Sequence, residues 1–183
     1  MTTDHEIRKF KTAIMPHLDA AYNYAYWLTR NAHNAEDLTQ EAFMRALSAF
    51  DSFRKNQPKA WLMTIVRNTF YNQVQMQKRR GKVIYLDNVK EEWHQADELY
   101  NMQTPEQEVL RSIDIRLIRQ CIDRLSNEFR EIIMFRDLEG FSYDEISQIL
   151  GCPLGTVMSR LSRARKQLKI LLLKQGYERE EQA

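Results

Sequence analysis

Two groups of residues in this sequence have the types and spacing to do chemistry on a nucleic acid. In the stretch SYDEISQILGCPLGTVMSRLSRAR, Thr156, Ser159, Arg160, Arg163 and Arg165 follow a Gly151-Cys152-Pro153 break, and Lys166 comes directly after the stretch. A guanidinium presents a planar fork of donors that pairs with the edge of guanine or grips phosphate, and Gly155 and Thr156 near the helix start leave room for a phosphate at its positive end. In the second group Asn68 and Asn72 stand four apart beside Tyr71, with Lys78, Arg79 and Arg80 further on. Amides bond base edges, an aromatic ring stacks on an unpaired base, and a cationic tail follows the phosphates, which is what single-stranded nucleic acid demands. Each group has a plainer reading. Bundles without DNA carry charged helix faces, and Phe70 and Tyr71 also suit an amphipathic core edge.

Enzymatic chemistry finds no comparable support. His5, His17, His33 and His94 are scattered, no metal-ligand spacing occurs, and no serine, lysine or carboxylate pair is arranged as an activated nucleophile. No metal and no cofactor is expected. Cys121 and Cys152 are too few and too isolated for a disulfide framework or a zinc site. Cys121 shares an apolar face with Ile113, Leu117 and Leu125 and reads as a buried small hydrophobe; Cys152 falls in a turn.

The charge pattern separates the two groups. The net charge of +2 says little, but Arg67 to Lys82 holds five basic residues and no acid, and Leu154 to Lys169 again five and none. Between them, Asp87 to Asp114 holds eight acids against two bases, so two basic stripes flank an acidic connector. The start, MTTDHEIRKF, lacks the apolar core of a signal peptide, and no run is long and apolar enough to span a bilayer. A cytoplasmic protein without membrane insertion is the expectation.

The elements that must hold these residues are helical. Five glycines and four prolines in 183 residues, with abundant Leu, Ile, Arg, Glu, Lys and Gln, favour helices over a turn-rich sheet protein. Ile7 to Asn31 reads as helix with Phe10, Ile14, Leu18, Ala21, Ala25 and Leu28 inward, and Pro16 interrupts it or marks its start. A second helix, Ala35 to Phe50, is capped by Asn34 and buries Leu38, Ala42, Phe43, Ala46, Leu47 and Phe50. The loop DSFRKNQPK leads to a third, about Lys59 to Arg80, with Trp61, Leu62, Ile65, Val66, Thr69 and Phe70 inside. After a linker, helical rhythm returns at Glu106 and runs to about Leu125. Ser126 caps a helix over Asn127 to Leu138, which Gly140 ends. Ser142 and Glu145 form a capping box for a short helix to Leu150. A last helix to about Lys174 turns Val157, Leu161, Ala164 and Leu168 inward. The expected fold is all-α, with two small helical domains and a helix-turn-helix in the C-terminal one.

The sequence resembles the extracytoplasmic-function sigma factors of bacterial RNA polymerase, on three stretches: AEDLTQEAFMRAL, KAWLMTIVRNTFYNQ, and LSNEFREIIMFRDLEGFSYDEISQILGCPLGTVMSRLSRARKQL. They occur in the family's order. The resemblance implies a region 2 domain over 1–82, a linker over 83–108 and a region 4 domain over 109–183. It implies that Asp37, Gln40, Glu41 and Arg45 contact core RNA polymerase. Asn68, Tyr71, Asn72, Lys78, Arg79 and Arg80 then meet the single-stranded −10 element of promoter DNA, with Arg54 in a loop that selects a flipped base. Thr156, Ser159, Arg160, Arg163, Arg165 and Lys166 meet the duplex −35 element. Met158 and Ser162 depart from the residue types frequent at their positions in the family. Family members are commonly held by an anti-sigma factor, and Trp93 and Tyr100 in the linker are compatible with such a contact. A conventional helix-turn-helix regulator remains the main alternative, set against by the second nucleic-acid stripe. A recombinase-like enzyme is the remoter one.

Overall fold

The computed structural model describes residues 4–53, 57–80 and 115–180, with side chains to 175. Arg54, the linker with Trp93 and Tyr100, Ile113 and the start of the helix expected from Glu106 lie outside the described residues. Among the described residues there is no strand. The chain divides into two compact units. The helices up to Arg79 fall in one; those from residue 115, apart from Gln148–Leu150, fall in the other.

The first unit begins with α1 (Asp4–Ile14), whose first turn carries Asp4 and Glu6 against the positive end of the helix. Pro16 does interrupt the α-helix: Met15–His17 form a 3-10 turn, and α2 follows at Leu18–Thr29. Proline has no N–H to donate and its ring opposes the preceding turn. Three residues at 3.0 rather than 3.6 per turn also advance the helical phase by about 60°. Leu18, expected inside, is accordingly 37% exposed, while Tyr24 joins Ala21 and Ala25 in the core.

Arg30 closes α2 in the left-handed region (φ 57°) and donates its N–H to the Tyr26 carbonyl. The next residue, Asn31, is extended and accepts the Asn34 N–H on its side-chain oxygen at 2.9 Å. The cap of α3 (Ala32–Ala49) is therefore Asn31, three residues before the expected Asn34. The left-handed turn at Arg30 leaves Asn31 in the extended conformation that an N-cap needs, and Asn34 becomes part of the first turn. Ala35, Ala42 and Ala46 on α3, like Ala21 and Ala25 on α2, are fully buried, which keeps side-chain bulk out of the contact between these helices.

Helix α4 (Pro58–Arg79) opens on a proline at a position where the missing N–H costs nothing. Leu62, Val66, Thr69 and Phe70 are buried as expected, Trp61 and Ile65 are half-buried, and Met63 is an additional core residue. Rings fasten the two ends of the segment between α3 and α4. Phe50 meets Phe10 edge-on at 5.4 Å and stacks on Phe53 at 5.8 Å, and Phe53 lies 4.8 Å from Trp61.

In the second unit, α5 (described over 115–123) buries Cys121 and Ile122, with Leu125 just beyond. Ser126 occupies the N-cap of α6 (Asn127–Ile133), but its side chain makes no capping bond. Arg130 joins the two helices instead. Its guanidinium donates to the carbonyls of Asp123 (2.6 Å) and Leu125 (2.9 Å) and to the Asn127 side-chain oxygen (3.1 Å). The helical run then widens to a π-turn over Met134–Leu138, with the Glu139 N–H on the Met134 carbonyl, and Gly140 (φ 72°) ends it.

The capping box at α7 (Tyr143–Leu150) is complete: Ser142 Oγ accepts the Glu145 N–H at 3.2 Å and Glu145 Oε2 accepts the Ser142 N–H at 2.8 Å. Gly151 turns the chain at φ 64°, a conformation that a side chain would strain although the space around it is open. Ser147 holds the break, its Oγ donating to the Cys152 carbonyl at 2.6 Å and its carbonyl accepting the Cys152 N–H. Helix α8 (Leu154–Glu180) then starts at once and runs beyond the expected Lys174. Val157, Leu161 and Ala164 are buried and Leu168 is half-buried, as the seam requires.

Candidate nucleic-acid interface

The outer side of α8 presents Ser159, Arg163 and Lys166, all exposed, and Thr156 half-buried near the helix start. Arg163 leans back along its own helix, Nε donating to the Ser159 carbonyl at 3.3 Å, with its guanidinium 6.0 Å from the Phe129 ring. The other two arginines are paired within the second unit. The Arg160 side chain is only 19% exposed and pairs with Glu128 at 3.4 Å, so it lies on the flank of α8 rather than on the outer face. Arg165 forms a two-pronged pair with Asp137 of the π-turn, Nε to Oδ2 at 3.2 Å and a second bond to Oδ1. That hydrogen bond holds the Arg165 guanidinium even more firmly protonated than usual. Two of the arginines thus fix α8 to α6 and its π-turn, while Arg163 and Lys166 stay exposed on its outer side.

Arg136 has a supporting role that the sequence does not reveal. It donates to the Phe141 carbonyl at 2.8 Å and lies 4.8 Å over the Tyr143 ring, linking the π-turn to the start of α7. With Arg165 on neighbouring Asp137, the π-turn is tied both to the first and to the second helix of the helix-turn-helix.

In the other unit, Asn68 and Asn72 are exposed on one side of α4 with Tyr71 half-buried between them. The Tyr71 ring is not bare. The Arg67 guanidinium lies 4.7 Å over it and the Phe70 ring meets it edge-on at 5.3 Å. These contacts hold the ring in one orientation. Lys78, Arg79 and Arg80 are exposed at the end of α4, where cations also suit the negative end of the helix. On α3, Asp37, Gln40, Glu41 and Arg45 are all exposed on a face of their own. Arg45 Nε bonds Glu41 at 2.7 Å one turn back, and Asp37 lies 3.6 Å from His33. Met44, 64% exposed among these polar groups, is the apolar member of the face and escaped the sequence reading.

Among the described residues no group of His, Cys, Asp and Glu side chains could hold a metal ion, and no helix is long and apolar enough to cross a membrane.

Residues 13–80 match the family described as Sigma-70 region 2, and residues 115–168 match Sigma-70, region 4. The two matches define the class, a protein that joins a region 2 helical unit to a region 4 helix-turn-helix. Over 169 residues the chain is 36% identical to the ECF RNA polymerase sigma factor EcfG of Rhodopseudomonas palustris, covering 91% of this chain and 84% of that one. It is also 36% identical over 168 residues to the ECF RNA polymerase sigma factor SigE of Mycolicibacterium smegmatis, covering 90% of this chain but 62% of that longer relative. A solved structure of the sigma factor RpoE of Bartonella quintana, in complex with the anti-sigma factor NepR, superposes with a TM-score of 0.70 at 33% identity. The match covers 90% of this chain and 97% of that one. The chain belongs to the ECF RNA polymerase sigma factors, which direct promoter-specific transcription initiation.

Proposed function

We propose that this protein binds core RNA polymerase through the α3 face of Asp37, Gln40, Glu41 and Arg45 and brings two DNA-contacting surfaces to a promoter. On the first, Asn68 and Asn72 bond the exposed edges of −10 bases, Tyr71 offers a ring edge, and Lys78, Arg79 and Arg80 follow the phosphates, with Arg54 in the adjoining loop. On the second, Thr156, Ser159, Arg163 and Lys166 enter the major groove of the −35 element. Arg160 and Arg165, paired with Glu128 and Asp137, hold α8 in place beside the groove. The observation that carries this reading is the pairing of exposed amides on α4 with exposed cations on α8, in two separate helical units of one chain. A conventional regulator needs only the second.

In this reading residues 1–82 and 109–183 are the working domains and 83–108 the connector. The protein acts in the cytoplasm, where its polymerase is, and by binding rather than catalysis. Similarity to a sigma factor solved with an anti-sigma factor supports control by a protein of that kind. Run-off transcription with purified core polymerase tests the proposal. Core polymerase should initiate at a defined promoter only when the protein is added, and failure to gain promoter-directed initiation refutes it.

A further inference from the structure

The reading side of α8 is not uniformly polar. Met158 is 50% exposed, and Leu154, one turn earlier, is 40% exposed. Leu154, Met158 and Ser162 stand four apart, so they form one strip along the helix. The strip runs between the buried seam of Val157, Leu161 and Ala164 and the outer row of Ser159, Arg163 and Lys166. Arg165, held by Asp137, closes the strip at its far end. Ser162 is small and exposed, so it leaves the flexible thioether of Met158 free to extend past it.

An exposed apolar side chain at this place needs an apolar partner inside a polyanion's groove. From Leu154 to Lys169 there is no acidic residue, and the nearby carboxylates Glu128 and Asp137 are paired with Arg160 and Arg165. The partner of this face is therefore anionic. Along the base edges of a DNA major groove the one apolar group is the 5-methyl of thymine. Residues near the start of a recognition helix are those that reach base edges. We infer that Met158, with Leu154 beside it, is a specificity-determining residue that reads a thymine methyl group in the −35 element. The inference rests on the −35 role of α8 proposed above.

The test uses holoenzyme assembled from the full chain and core RNA polymerase. Duplexes enriched from a library randomised over the −35 element supply the sequence, and each thymine in it is then replaced by deoxyuridine, which lacks only the methyl. At one or two positions this replacement should weaken holoenzyme binding about fourfold, the value of one buried methyl group. Met158→Ala should bind the thymine and uracil forms alike, and Met158→Leu should retain the difference. Because Met158 is half-exposed, the melting temperature of both variants should match that of the unaltered protein. Enriched elements without a thymine preference overturn the inference, as does an undiminished thymine-to-uracil loss in Met158→Ala. Loss of core polymerase binding by Met158→Ala with the methyl effect intact overturns it in favour of a protein partner. A holoenzyme that enriches no −35 sequence refutes the proposed −35 role of α8 itself, and the two failures are thereby distinguished.

Discussion

The pair between Arg165 and Asp137 makes a sharp prediction because a tether and a phosphate contact give different salt dependences. Two opposite unit charges about 4 Å apart attract by about 1 kcal/mol in water and about 4 kcal/mol at a protein surface of intermediate dielectric. Here the side chains are 50% and 33% exposed, so screening and the entropy of fixing a long arginine take most of the gain. The two-pronged geometry places the net coupling toward the upper part of the surface range, about 0.5–1 kcal/mol. A double-mutant cycle of Arg165→Gln and Asp137→Asn, followed by urea unfolding of the full chain, measures that coupling. The same variants separate a tether from a phosphate contact. If Arg165 stays on Asp137 in the complex, Arg165→Gln leaves the salt dependence of −35 binding unchanged, whereas Asp137→Asn releases a cation and steepens it. Loss of close to one phosphate contact from the slope in Arg165→Gln, about 0.9, refutes the tether and assigns the guanidinium to DNA.

Three other outcomes follow from the geometry. Ser142→Ala removes one half of a complete capping box and should destabilise the second unit by about 1 kcal/mol, read as a lower urea midpoint with an unchanged slope. Asn68→Ala should impair promoter opening, followed by permanganate reactivity of unpaired thymines, while leaving −35 duplex binding intact; Arg163→Ala should do the reverse at a cost of about 1–3 kcal/mol if it meets a base. His17 has its pKa lowered by burial and, secondarily, by Lys59. Its neutral form is favoured in the folded state, so the stability it contributes is present above pH 6.5 and lost as pH falls through the lowered folded value. Unfolding of the full chain followed from pH 7.5 to 5 should show this loss, and His17→Gln should reduce it.

Much of this architecture is local, and for that reason legible. The capping box, the glycine and proline at the helix-turn-helix break, and the seams of α4 and α8 depend on residues three or four apart. Leu18 was misplaced because a 3-10 turn shifts the helical phase without changing the residue pattern. The cap at Asn31 depends on a left-handed arginine, which no composition rule anticipates. The arginines of α8 show the larger gap. Helical spacing says which side of α8 each leaves from, but Arg165 finds its carboxylate 28 residues back and Arg160 finds Glu128 further still. Such pairs are products of tertiary packing, whereas the Arg67 guanidinium over Tyr71 spans a single turn of α4 and belongs with the local features.

The break between α7 and α8 also has a practical consequence. The chain has two cysteines; Cys121 is fully buried with its thiol pushed upward by burial, whereas Cys152 sits partly exposed in the turn. A maleimide dye added to the native protein should therefore attach at one position without any engineering. That position immediately precedes the helix assigned to the groove and is pinned by Ser147. Its emission would report, in real time, when this end of the molecule arrives on a duplex, independently of the moment the strands separate at the other.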